Sequence, residues 1–326
     1  MAQPSRSLAH KIRFEKMTKS GFGDAVQRHI EVDRKAHNAD VDEARLPLKT
    51  SVGAIGVFDS GLGGLTVLRH LHQQLPHYDY LYLGDQARVP YGTRSFETVL
   101  RYTREGVSEL FSRGCALVIL ACNTASAKAL RSLQQEWLPS VAPDRRILGV
   151  LRPSTEEAGN FTRNGHLGIL ATPGTVLSNS YPIEIGHFFP KMNITQLACP
   201  LWVPLVEAGE LDSNGTHFFV ARDLQNLFQL DPQIDAVLLA CTHYPLLMDV
   251  IRQHLPAGIS VIEQGPLIAE KLKNYLDRHP EIQSRCTTNG SMRFLTTDKA
   301  AGFWAKATLF GMHIDPHQVE EVHHFL

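Results

Sequence analysis

The 326-residue chain is short of cysteine, of long apolar runs and of charge of one sign, and each shortage closes a class of function. Lysine and arginine number 32 against 33 acids, a formal net charge of -1. No broad basic surface therefore invites nucleic acid, and no polybasic run beside an apolar segment invites a membrane surface. The apolar runs are strand-sized, too short to cross a bilayer. The N-terminus lacks the apolar centre of a signal peptide, so a cytoplasmic location is expected. Five cysteines, at 115, 122, 199, 241 and 286, are too scattered for a disulfide framework and are expected as free thiols. Metal-binding pairs are missing too. Cys241 and His243 lie two apart, but structural zinc wants four close ligands, and no metal is expected. Finally, Asp59-Ser60-Gly61-Leu62-Gly63-Gly64 has neither the dinucleotide spacing nor the phosphate-loop lysine, which argues against a nucleotide site.

What is present is a repeated pattern. Leu117-Val118-Ile119-Leu120-Ala121 runs into Cys122, then Asn123-Thr124-Ala125-Ser126 opens a helical segment. The same order returns as Ala236-Val237-Leu238-Leu239-Ala240, Cys241, Thr242-His243. Each reads as a buried strand ending at a cysteine, with Asn123 or Thr124 expected to cap the first helix. A lone strand-end cysteine is ordinarily a packed small hydrophobe. Two with matching polar followers ask for a chemical reason. In an open parallel sheet the carboxyl ends of strands are where ligands bind, and a helix start there is expected to make a thiol more acidic.

Around these two stretches strands and helices alternate from Ala54 onward. Strands are expected at 55–58, 80–83, 117–120, 147–150, 167–170, 194–198, 236–240, 259–262 and 292–295, with helices at 65–75 and 96–111. Alternation of this kind predicts parallel sheets covered on both faces, and the length suits two of them, with one cysteine in each. Residues 1 to 50 are polar and of mixed charge, with a short apolar patch between Val26 and Val32; Ala25-Val26 and Ile30-Val32 read either as one or two amphipathic turns or as part of a mobile extension.

The loops after the strands carry the remaining polar residues. Asp59 is either a helix cap or a carboxylate placed to assist a thiol. Gly84 to Thr93 is rich in turn formers and holds Tyr91 between Pro90 and Gly92. Thr172 and Thr175 supply hydroxyls at a helix start. Glu207 ends an apolar stretch from Cys199, so it is paired or functional, because an unpaired charge there is costly. A Cys–His nucleophile at Cys241 and His243 would be a second chemistry, but it leaves Cys122 unexplained.

Taken together these motifs resemble the cofactor-independent aspartate/glutamate racemase family. The likeness rests on Gly56 to Val67, on Gly84-Asp85 through Tyr91-Gly92-Thr93, on Ala121 to Ser126 and on Cys241 to Leu247, in the family's order. It implies an α/β fold of two facing doubly wound domains with parallel-rich sheets, pseudo-twofold related, with the site in the cleft. The expected division is 51–148 with 249–326 for one domain and 149–248 for the other. The implied reaction interconverts L- and D-glutamate without a cofactor, for peptidoglycan. Cys122 would take the Cα proton from the D-isomer, assisted by Asp59, and Cys241 from the L-isomer, assisted by Glu207 and His243. Asp59, Ser60, Tyr91, Gly92, Asn123, Thr124, Thr172, Thr175, Thr242 and His243 match positions that hold the amino acid. Implied partners are glutamate, a second copy in a homodimer and, through the N-terminal extension, a cell-wall precursor as activator. Ala240 departs from the family's usual glycine. The rivals are a racemase for aspartate or another amino acid, and a non-catalytic binding or regulatory member.

Overall fold

The structure, a computed structural model, describes residues 52–323. The apolar patch at Val26 to Val32 and the activator expected to act through the extension lie outside the described residues. Ten strands are found among them: β1 (Ile55–Asp59), β2 (Tyr80–Gly84), β3 (Leu117–Leu120), β4 (Arg146–Gly149), β5 (His166–Ala171), β6 (Asn193–Ala198), β7 (Ala236–Ala240), β8 (Ser260–Ile262), β9 (Met292–Thr296) and β10 (Val319–Glu321). They form a six-stranded sheet, β10-β9-β2-β1-β3-β4, and a four-stranded sheet, β6-β5-β7-β8. Every pairing in both is parallel. That is what unbroken apolar strands require: β3 and β7 are buried along their whole length, so helices must cover both faces.

The two sheets share a plan. Within the larger one the order β2-β1-β3-β4 places the first strand beside the third, and β6-β5-β7-β8 repeats that order. Cys122 follows the third strand of the first set and Cys241 the third strand of the second. A repeat visible in the sequence only as a pattern is thus a repeat of topology.

The helices used below are α1 (Leu65–Gln74), α2 (Phe96–Ser112), α3 (Asn123–Lys128), α4 (Leu151–Glu156), α5 (Pro173–Ser178), α6 (Ser180–Phe188), α7 (Trp202–Glu207), α8 (Gln264–Arg278) and α9 (Ala300–Ala307). In α1 the buried Leu65, Leu68 and Leu71 recur at helical spacing. Ser95 caps α2, its hydroxyl accepting the Thr98 amide at 3.2 Å. None of the helices among the described residues is long and apolar enough to cross a membrane.

The chain passes from the larger sheet to the smaller at α4 and returns along α8. The return comes later than the expected boundary at 249, because β8 pairs with β7. Residues 260–262 therefore belong to the four-stranded sheet. β10, three residues with two glutamates, carries no apolar pattern that would have marked it. The start of β2 is tied to the start of β9 by Asp79. Its carboxylate accepts from Asn289 Nδ2 (2.7 Å), the Ser291 amide (2.8 Å) and the Ser291 hydroxyl (2.7 Å). Burial would raise this carboxyl, but the bonds from Thr287, Ser291 and Asn289 prevail and hold it well below the usual range.

Candidate active site

Cys122 sits where β3 gives way to α3, and it caps that helix itself. Its backbone is extended (φ -65°, ψ 120°), as a cap requires, and its sulfur accepts the Ala125 amide at 3.5 Å. Asn123 and Thr124, the expected caps, are already inside the helix. The thiol donates to the Ser60 hydroxyl at 3.5 Å. The expected gain in acidity does not appear. Burial pushes the Cys122 thiol up to about 12, the negative charge of Asp59 adds to the rise, and the Ala125 amide and Ser60 offset only part of it. Asp59 ends β1 and is fully buried. One of its oxygens accepts the Gly61 amide at 3.0 Å, and the other has no hydrogen-bond partner among the described residues. Burial raises its pKa against the opposing pull of His243 and the amides of Gly61 and Gly64. Asp59 acts on Cys122 through charge.

The surroundings of Cys241 are different. His243, two residues on, places Nε2 2.7 Å from Glu207 Oε1 and also hydrogen-bonds Cys241. Burial would lower the imidazole pKa, but its bonds to Cys241 and Glu207 raise it to about 10. Burial likewise works to raise Glu207, yet the bond and charge of His243, with Lys306 beyond, bring its pKa down. The acid that stood out in an apolar stretch is therefore paired. His243 and Phe310 pack edge-to-face, their ring centroids 5.6 Å apart.

The larger lobe reaches across to this side. Thr66, on α1, donates its hydroxyl to the Thr242 carbonyl at 3.0 Å. A methyl group on Gly63 would lie 2.3 Å from the Thr242 hydroxyl oxygen and 2.4 Å from His243 Nδ1. Only glycine lets the loop lie this close.

Both cysteines line one cavity of about 90 Å³. That is small beside the ~300–1,000 Å³ of drug-sized sites, and it selects a small substrate. Ser60, Asn123, Thr124, Thr172 and Thr242 supply its polar wall, with Tyr91, Gly92 and His243. Asp59, Glu207 and Thr175 stand outside this lining. Thr175 instead bonds Thr172 at 3.1 Å, and Thr172 bonds Thr124 at 2.9 Å, so α3 and α5 meet through hydroxyls. Tyr91 is held from below: its hydroxyl donates to Asp85, which also accepts Arg88 Nε at 2.7 Å and the Thr297 hydroxyl at 2.8 Å.

Half of the wall is apolar, a half that no motif in the sequence marks. Val89, Pro90, Pro200, Val203 and Pro204 close the cavity, and Cys199 joins them. The only sign of that half in the sequence is the density of proline in the two loops, at 90, 200 and 204. Among the described residues, no three of His, Cys, Asp and Glu are arranged to hold a metal ion.

Such a site offers two sulfur acid–bases from two lobes, unlike in their neighbours, around a hydroxyl-lined space for a small polar molecule. Comparison with known proteins identifies the family. Residues 55–272 match the family model described as Asp/Glu/Hydantoin racemase. A glutamate racemase of Geobacter metallireducens is 39% identical over 251 residues, 77% of this chain and 89% of that protein. Among solved structures, glutamate racemase isoform RacE1 from Bacillus anthracis superposes with a TM-score of 0.74 at 31% identity, covering 83% of this chain and 98% of that one. The glutamate racemase from Francisella tularensis, solved in complex with D-glutamate, gives 0.73 at 29% identity, covering 84% and 98%.

Proposed function

The chain belongs to the Asp/Glu/Hydantoin racemase family, and on that footing we propose that it interconverts L- and D-glutamate by passing the Cα proton between Cys241 and Cys122. The observation that carries the proposal is that two equivalent strand ends deliver one thiol each to a single small cavity. Inversion at Cα needs a base on one face and an acid on the other, and this pair supplies both.

The unlike surroundings assign the starting states. Cys122, dehydrated and beside Asp59, waits as the thiol. Cys241, beside the His243–Glu207 pair, is the sulfur we assign as the base toward L-glutamate. In the L-to-D direction the Cys241 thiolate takes the Cα proton, leaving a planar carbanionic centre. Cys122 then gives its own proton to the opposite face. The enzyme ends with a thiol at 241 and a thiolate at 122, the form that the D-isomer needs for the reverse step. The hydroxyls of Ser60, Thr124, Thr172 and Thr242 are the donors for the substrate's carboxylates. Peptidoglycan synthesis is the use we assign to the D-isomer, and a homodimer in the cytoplasm goes with this reading.

The test is incubation with L-glutamate in D2O, without added cofactor, following optical rotation and the Cα proton signal together. Loss of rotation with deuterium entering Cα is expected. Inversion of L-aspartate instead would move the substrate to that amino acid, and no reaction with either would leave a binding protein on the racemase scaffold.

A further inference from the structure

Behind Cys122 lies a closed ring of three buried polar side chains that the reaction as written does not use. Asn123 Nδ2 donates to Gln264 Oε1 at 2.8 Å, Gln264 Nε2 donates to the Tyr181 hydroxyl at 2.8 Å, and that hydroxyl donates to Asn123 Oδ1 at 2.6 Å. All three side chains are almost wholly buried. The sense of the ring is fixed from outside it. The Val150 carbonyl can only accept, so the Gln264 atom that faces it, 3.2 Å away, and that also faces Tyr181 is the amide nitrogen, and the tyrosine proton goes to Asn123. Gln264 Nε2 also has the Ser154 hydroxyl at 2.9 Å and the Val150 carbonyl at 3.2 Å within reach.

The members come from three places that the fold otherwise keeps apart. Asn123 follows Cys122 on the larger lobe and is one of the residues lining the cavity. Tyr181 is on α6 of the smaller lobe. Gln264 opens α8, where the chain crosses back, and its contact with Val150 reaches the other crossing at α4. One residue therefore ties both crossings to each other and to the neighbour of Cys122. A surface contact could not do this, but a buried, fully satisfied ring is stiff.

We propose that Gln264 is a positioning residue: its ring with Tyr181 and Asn123 sets how closely the smaller lobe approaches Cys122, and so where that thiol stands relative to the substrate Cα. The assignment rests on the two-thiol reading above. Loosening the ring displaces Cys122 and leaves Cys241 in place. The Cys241 thiolate still removes the Cα proton of L-glutamate and returns a solvent-derived one to the same face, while delivery from Cys122 to the opposite face fails.

The experiment compares the parent enzyme with Gln264→Leu and with the near-isosteric Tyr181→Phe, in D2O. Inversion of L-glutamate is expected to slow roughly 10- to 100-fold, the scale of a misplaced reacting group, with KM changing far less. Deuterium exchange into L-glutamate is expected to rise several-fold relative to inversion. A fall in the folded fraction alone would scale exchange and inversion together. Ser154→Ala, which keeps the ring closed, is expected to hold the parent ratio. An active parent whose ratio is unchanged in both variants would overturn this assignment alone. An inactive parent would overturn the racemase reading and the assignment with it. Two variants that fail to fold, by circular dichroism, would make the ring structural and overturn the positioning role.

Discussion

Cys122 and Cys241 occupy equivalent places in two sheets of the same strand order, yet their company is opposite in character. Cys122 has a buried carboxyl that touches it only through charge, and both groups are pushed toward their protonated forms. Cys241 has a buried imidazolium backed by a carboxylate 2.7 Å away. One sulfur sits beside a carboxyl, the other beside a cation. The lesson is that topology delivers the two sulfurs, while the residues beyond them divide the labour.

The largest effect is expected from removing either sulfur. Cys122→Ala and Cys241→Ala should each lower racemisation by about 10²–10⁴-fold, the worth of a positioned acid or base, with circular dichroism unchanged. Cys122→Ala should still exchange the Cα proton of L-glutamate, and Cys241→Ala that of the D-isomer. Full turnover in either would end the two-base account.

Next comes Glu207→Gln, which strips the imidazolium of its partner. One charge-assisted hydrogen bond, about 1.5–3 kcal/mol, corresponds to a loss of roughly 10- to 150-fold in kcat/KM. Because Glu207 helps to raise His243 to about 10, its loss should move the alkaline limb of the pH–rate profile to lower pH. An unmoved limb would mean that His243 does not set it.

Asp59→Asn tests the other side with a smaller effect. Asp59 raises Cys122, so removing its charge should lower the thiol from about 12. Iodoacetamide labelling of Cys122 against pH, read by mass spectrometry, should then begin at lower pH while labelling of Cys241 keeps its profile.

Asp79→Asn should leave both sides alike. Its cost is to stability, about 1–3 kcal/mol at pH 7 for a buried acceptor set left short. The depressed carboxyl contributes above its ordinary value of 3.8 and loses that contribution as pH falls toward its folded value. Urea unfolding should therefore show a gap between variant and parent that narrows in acid below about pH 4.

Much of this was legible in the sequence, and the exceptions have physical causes. β1, β2, β3, β5 and β7 announce themselves as apolar runs, since strands buried on both faces need no alternation to be seen. The two cysteines stood out by repetition, and Glu207 by being charged among apolar neighbours. The acidity expected of a helix start fails at Cys122 because a sequence shows the cap and not the dehydration that outweighs it. The membership of β8 follows from pairing with β7, which no local pattern encodes. Tyr181 and Gln264 could not have been singled out, because their partners lie far along the chain and a buried tyrosine or glutamine has no periodic mark.

The shared strand order has a consequence for handedness. A protein made of L-residues cannot fold into its own mirror image, so no single strand–loop–helix unit can treat the two faces of a planar carbon alike. In the proposed reaction two copies of one unit, turned toward each other, solve this by rotation: each would meet the substrate with the same hand, but from opposite sides. A racemase then needs no left-handed part, only a second right-handed one.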